Sequence, residues 1–140
     1  MNDIVINKIQ SIQRCIERAR EEYRKNPEGF DEDYSRQDAA VLNILRACEQ
    51  ALDLANHIIK AHKMGIPTFS AESFDLLRKK SVIDDDLTEK LKKMVHFRNV
   101  VIHQYQRMDI EIVKSVIKSD LDNLVSFTER IMEFGYGHTS

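Results

Sequence analysis

The sequence predicts an all-α protein, an up-and-down bundle of four long helices and one short helix. Apolar residues recur at spacings of three and four along most of the chain, which is the period of an amphipathic helix. Only four Gly and two Pro occur in 140 residues, so few positions favour a helix end. A hydrophobic content of 42% suits one core. We therefore expect residues 1–140 to form a single domain, with a flexible tail from about residue 135.

The first two helices follow from their apolar stripes. Residues 3–25 form one amphipathic segment that ends before Pro27. Ser35, with Asp38 three residues later, resembles a capping box that opens the second helix. That helix ends near Gly65 and Pro67.

The second helix has two apolar flanks. One stripe contains Val41, Ile44, Cys48, Ala51, Ala55 and Ile58. The other stripe has heptad spacing and contains Leu45, Leu52 and Ile59. Two flanks indicate a central helix, or a helix that also meets another subunit. Since a chain of this size leaves little to cover the second flank, we expect it to support a homodimer.

The remaining helices are predicted from a short apolar pattern and from residues that favour helix ends. A short helix is predicted over residues 71–82. Asp86, followed by Glu89, is an N-cap signature for the fourth helix. Asp109 is placed to cap the last helix, which we expect to stop at Gly135.

Composition excludes several classes of protein. The net charge of −2 argues against binding of nucleic acid through a broad basic face. Cys15 and Cys48 lie in helical apolar patterns, as expected for core residues of a reduced, cytoplasmic protein. Neither a membrane span nor a signal peptide is evident. No Glu-x-x-His pair or Cys–His cluster is present, so we expect no metal and no cofactor. A phosphate-binding glycine loop is also absent from the sequence, so we do not expect a nucleotidyltransferase.

Side chains that can bind a ligand or transfer a proton are concentrated in one stretch late in the chain, Arg98-Asn99-Val100-Val101-Ile102-His103-Gln104-Tyr105. Arg98 can hold a phosphate in its guanidinium fork. His103 is the side chain best suited to move a proton near neutral pH. Tyr105 adds a hydroxyl that can bind, shield or be modified. The functional hypothesis rests on this segment.

A helix sets the geometry of these residues. At 100° per residue, Arg98 and Tyr105 lie about 20° apart around the axis, whereas Arg98 and His103 lie about 140° apart. One such helix therefore offers half of a site more readily than a whole one. His96 is the alternative second imidazole, but it lies about 10.5 Å from His103 along the axis, too far to share one phosphate.

The segment resembles the HEPN superfamily of helical domains, whose signature is Arg, a polar residue and then His on a late helix of a bundle. The Tyr two residues after the His is similar to the HepT branch, toxins of two-component toxin–antitoxin systems. This resemblance implies a metal-independent endoribonuclease that acts on RNA as a homodimer. It makes Arg98 and His103 the catalytic pair, with Asn99 in support.

The same resemblance implies a protein partner and a modification. The partner is an MntA-like nucleotidyltransferase antitoxin, which silences the toxin by attaching AMP to the motif tyrosine, here Tyr105. Toxin and antitoxin are then expected to form a larger hetero-oligomer.

The residues are chemically suited to this reaction. Metal-free RNA cleavage uses the 2′-hydroxyl as an internal nucleophile and needs a base, an acid and a cation for the developing phosphorane charge. Each chain supplies one motif His and one motif Arg. A two-fold dimer that places two motif helices side by side supplies both proton-transfer groups.

Two other interpretations stay open at this point. One is a non-catalytic HEPN module that binds a nucleotide or a nucleotidyltransferase, and the other is an unrelated structural bundle. Outside the segment, His57 and His62 are interpreted as surface or boundary residues. The acidic run from Asp84 to Asp86 is interpreted as a solvated loop with an N-cap.

Overall fold

The computed structural model describes residues 2–105 and 108–137. These residues form helices and connections and include no strand, so the all-α prediction is confirmed. The elements are α1 (Asp3–Arg24), a 3₁₀ turn (Phe30–Glu32), α2 (Tyr34–Ala61), α3 (Glu72–Lys79), α4 (Asp85–Gln104), α5 (Ile110–Ser115), a π-turn (Val116–Asp120) and α6 (Leu121–Gly137). Because α5, the π-turn and α6 follow each other without a break, the bundle has four long helices and one short one.

The α2 helix is the centre of the bundle. It packs along α1 and also contacts α3, α4 and α6. Both of its apolar flanks are therefore used within one chain: Leu52 and Ile59 are buried and Leu45 is partly buried. The prediction that the second flank needs another subunit for its burial was wrong, because neighbouring helices of the same chain cover it.

Aspartate side chains begin three of the helices. Asp33 accepts a hydrogen bond from the Arg36 amide at 3.2 Å, and Asp84 accepts one from the Leu87 amide at 2.8 Å. The capping residues predicted from sequence, Ser35 and Asp86, were each two residues too late. They already lie inside α2 and α4, whereas an N-cap residue has a non-helical backbone.

The last helix begins as predicted and ends later than predicted. Asp109 caps α5 by accepting a hydrogen bond from the Glu111 amide at 2.9 Å. Gly135 does not stop the helix, since α6 continues to Gly137. The rest of the predicted tail, residues 138–140, lies outside the described residues.

Two further properties bear on the class of protein. Cys15 and Cys48 are free and buried, so their interpretation as core residues is confirmed. Among residues 2–105 and 108–137, no helix has the length and apolar character that a membrane span requires.

Candidate active site

The carboxyl-terminal part of α4 places polar side chains where the helix would otherwise continue its core face. Leu91 is fully buried, and Arg98 follows it after seven residues, at nearly the same angle around the axis. Beyond Arg98, the same face holds Ile102 and Tyr105, which are 57% and 41% exposed. Beyond Arg98, this face of α4 is therefore open to solvent, whereas Val101 on the adjoining face is still buried.

Arg98 is held by contacts on both sides of its guanidinium. Its side chain is only 14% exposed, and Nη1 donates to Glu49 Oε1 at 3.0 Å. Nε and Nη2 both donate to Asn99 Oδ1, at 3.2 and 2.9 Å. Nη2 also lies 3.5 Å from Ser70 Oγ. The fork of Arg98 is thus fixed in place, and its two-donor edge faces a neutral amide oxygen.

These contacts assign a role to Asn99 and reveal two neighbours that the sequence did not. Asn99 orients the guanidinium. Glu49 comes from the middle of α2, and Ser70 comes from the segment between α2 and α3. Neither residue carries a local signal, because their positions relative to Arg98 depend on how the helices are rotated against one another.

Cys48 lies beside the Arg98–Glu49 pair, on the buried side. Burial raises the pKa of its thiol to about 12, and this outweighs the nearby charge of Arg98, which lowers the pKa. A thiol with this pKa stays protonated at neutral pH and is a poor nucleophile. Cys48 therefore contributes packing beneath Arg98 and no covalent chemistry.

Tyr105 is tied to the beginning of α2. Its hydroxyl donates a hydrogen bond to Asp38 Oδ1. Partial burial, together with the hydrogen bond to Asp38 and the carboxylate charge, raises the pKa of Tyr105 to about 12. A cavity of about 240 Å³ adjoins the pair, and its other lining residues are Tyr34, Gln37, Val41, Met108, Ile110 and Val113.

The two histidines of α4 lie on a different side of the helix. His96 and His103 are both exposed and lie about 20° apart around the axis. His96 lines a second cavity of about 450 Å³, between α4 and the region of the π-turn. Across the described parts of the chain, no cluster of three or more His, Cys, Asp or Glu side chains is placed to hold a metal ion.

The structure joins only some of the residues that the sequence singled out. Arg98 and Asn99 contact each other, whereas Tyr105 contacts Asp38. His103 lies one and a half turns beyond Arg98 and about 140° around the axis from it. A single chain therefore presents a fixed guanidinium and an exposed imidazole on separate faces, as expected of half a site.

Comparisons with known proteins place this half-site in context. The family described as ribonuclease HepT-like matches residues 12–131. The mRNA nuclease HepT of Shewanella oneidensis is 41% identical over 131 residues, which cover 94% of this chain and 98% of that protein. A tri-AMPylated HEPN toxin of Shewanella oneidensis, solved in complex with MNT antitoxin, has a TM-score of 0.89 at 41% identity, with the same coverage of both chains. A toxin–antitoxin complex with AMP-PNP has a TM-score of 0.88 at 40% identity, and the alignment covers 94% of this chain and 98% of that one.

Proposed function

Because this chain belongs to the HepT-like ribonuclease family, we propose that it is the toxin of a toxin–antitoxin pair and cleaves RNA in the cytoplasm. In this proposal the single HEPN-like domain acts as a homodimer. Arg98 and His103 of each chain face one cleft across the two-fold axis. The observation that carries the proposal is the guanidinium of Arg98, which its contacts with Glu49 and Asn99 hold in one orientation near the end of α4.

The proposed reaction uses no metal. One His103 takes the proton from the ribose 2′-hydroxyl, whose oxygen attacks the adjacent phosphorus. The bond to the 5′-oxygen breaks, and the partner's His103 gives that oxygen a proton. The products are a 2′,3′-cyclic phosphate and a free 5′-hydroxyl. Two imidazoles from two chains provide the base and the acid that one motif cannot provide alone.

Arg98 is proposed to bind the scissile phosphate in its fork. Its two-donor edge holds the Asn99 amide oxygen in the absence of RNA, and a phosphate oxygen forms stronger, charge-assisted hydrogen bonds with the same donors. Two parallel donors fix the angle of the phosphate as well as its position. Asn99 then keeps the guanidinium in its plane until RNA arrives.

The exposed apolar side chains near the site support the homodimer. Leu42 is 47% exposed on α2, and Ile102 is 57% exposed on α4. Leu42 lies one turn after Asp38, the partner of Tyr105, so α2 and α4 both bring apolar surface to this end of the bundle. Light scattering is expected to give twice the chain mass at micromolar concentration. A monomer at that concentration would contradict a composite site.

Cleavage is tested with purified protein and a single-stranded RNA in the presence of EDTA. We expect cleavage with cyclic phosphate ends, and its loss by a factor of roughly 10²–10⁴ in His103→Ala. His57→Ala is the matched control, because His57 lies on α2 away from the motif and its replacement should leave the rate unchanged. A need for added divalent metal, or full activity of His103→Ala, would refute the proposed mechanism. A wild-type protein that binds RNA without cleaving it would indicate the non-catalytic binding module.

Silencing by the antitoxin is the second part of the proposal. A solved relative is described as tri-AMPylated and in complex with MNT antitoxin, and we propose that a nucleotidyltransferase antitoxin attaches AMP to Tyr105 of this chain. The added phosphate and adenine would obstruct RNA at the end of α4. Peptide mass spectrometry after co-expression should find AMP on Tyr105. AMP on another residue of the wild-type chain would rule out Tyr105 as the target.

A further inference from the structure

Tyr105 has a partner that lies outside the segment from Arg98 to Tyr105. Its hydroxyl donates a hydrogen bond to the carboxylate of Asp38, which lies 67 residues earlier in the chain. Asp38 is in the second turn of α2 and Tyr105 directly follows α4, so the contact exists only because the two helices pack together. The proton in this hydrogen bond is the one that must leave when the tyrosine oxygen is modified.

The chemistry of tyrosine modification gives this contact a function. A neutral phenol is a weak nucleophile, so its proton must be removed before or during attack on phosphorus. Prior ionisation is unfavourable at this site, because a phenolate would stand beside the Asp38 carboxylate with the same charge. The proton must therefore be removed during the attack, and the group that already accepts its hydrogen bond is Asp38.

We infer that Asp38 is the general base for attachment of AMP to Tyr105, so that the modified chain contributes a catalytic group to its own modification. This inference rests on the proposed silencing of Tyr105. The Tyr105 oxygen attacks the α-phosphorus of ATP and forms an oxygen–phosphorus bond. The bond between the α-phosphorus and the bridging oxygen breaks, pyrophosphate leaves, and the tyrosine proton passes to Asp38.

The surroundings of the pair are compatible with this step. Tyr105 is 41% exposed, so the residue is accessible from solvent while its hydroxyl donates a hydrogen bond to Asp38. Asp38 is also exposed and has no ion-pair partner among the described residues, so its carboxylate is not neutralised by a Lys or Arg. Arg98 does not compete for this role, because it is engaged with Glu49 and Asn99, and His103 lies about 160° from Tyr105 around the helix axis.

The test measures AMP transfer to the purified dimer by the nucleotidyltransferase antitoxin, with radiolabelled ATP and under single-turnover conditions. Asp38→Asn keeps the shape and removes the base, and we expect the rate to fall about 100-fold. Asp38→Glu should recover part of that rate. Asp53→Asn is the matched control on the same helix, since that carboxylate pairs with Lys8, and it should react like wild type. Circular dichroism and thermal unfolding establish that each variant is folded.

The pH profile separates a base from a residue that only holds the tyrosine or docks the antitoxin. Without a base, only the phenolate reacts, so the ratio of wild-type to Asp38→Asn rates should shrink as the pH rises from 7 to 9. An unchanged rate in Asp38→Asn would overturn the inference, and so would a deficit that is the same at every pH. If the wild-type chain itself takes no AMP on Tyr105, the proposed silencing fails first. If wild type and Asp38→Asn take up the AMP label at equal rates, the inference about Asp38 is wrong, but the proposed silencing through Tyr105 stands.

Discussion

The middle of α2 and the end of α4 use the same helical geometry for opposite purposes. Along α2, the inward positions such as Ile44 and Leu54 are fully buried, and neighbouring helices cover the helix on several sides. At the end of α4, the position that would continue this pattern is Arg98, and the next two on that face are Ile102 and Tyr105, both exposed. The middle of α2 buries apolar side chains, whereas this face at the end of α4 carries a charged side chain and side chains that are exposed to solvent.

This difference indicates where stability and chemistry reside. Burial of a large aliphatic side chain contributes about 1.5–3 kcal/mol, whereas a partly exposed ion pair contributes about 0–1 kcal/mol. Most of the free energy of folding must therefore come from the α2 core. The exposed face at the end of α4, which holds Ile102 and Tyr105, contributes less to stability than the α2 core does.

A substitution in the α2 core is the strongest test of this division. Ile44→Ala should lower the free energy of unfolding by about 2–5 kcal/mol, because it leaves a cavity at a fully buried position. The value of kcat/KM for RNA, corrected for the folded fraction, should stay near wild type. Urea denaturation and cleavage assays measure the two quantities on the same preparation. A loss of activity larger than the loss of folded protein would show that the two regions are coupled.

The buried face of α2 was also predicted correctly from the sequence, and the reason is physical. Helical periodicity depends on residues three and four apart, so stripes such as the one through Ile44 are visible in any sequence window. Cap positions were less accurate because aspartates cluster near both helix starts, and only the backbone angle decides between Asp84 and Asp86.

The site at the end of α4 was predicted only where its members are close in sequence. Arg98 and Asn99 are adjacent, so a single motif contains both. Glu49 and Asp38 contact the motif across helices, and these contacts depend on how α2 is rotated against α4. No pattern in one helix encodes that rotation, which is why the covering of Leu52 and Ile59 was also mispredicted.

The second largest effect concerns the fork of Arg98. Arg98→Lys keeps the charge but removes the planar pair of donors. Because hydrogen bonds that involve a charged group contribute about 1.5–3 kcal/mol, kcat/KM should fall roughly 10- to 150-fold. The free energy of unfolding should change by less than about 1 kcal/mol, since the ion pair with Glu49 is partly exposed. Steady-state cleavage and urea unfolding report these values. Near-normal kcat/KM would mean that charge alone suffices and that the fork is not used.

A smaller effect of opposite sign is expected at Glu49. Its carboxylate contacts Arg98 at 3.0 Å, and in the proposed mechanism it would repel the RNA phosphate that Arg98 binds. Glu49→Gln should therefore lower KM, by up to about 5-fold for a half-exposed pair worth about 0–1 kcal/mol. Glu21→Gln on α1 is a control with the same change in net charge, and its KM should move less. A higher KM in Glu49→Gln would show instead that Glu49 is needed to position Arg98.

The smallest expected effect is the dependence of stability on pH through Tyr105. Its pKa is raised from 10.0 to about 12, so above pH 10 the unfolded chain releases a proton that the folded chain still holds. The contribution of Tyr105 to stability is therefore complete below pH 10 and is lost as the pH rises from 10 to about 12. Because Tyr105 is 41% exposed, solvent screening keeps this loss below about 1 kcal/mol. Ultraviolet titration should show a tyrosine ionisation step near pH 12, and Tyr105→Phe should remove that late step. If the late step persists in Tyr105→Phe, or if no tyrosine ionises late, the hydrogen bond to Asp38 does not hold in solution, and the end of α4 is freer than its contacts with α2 imply.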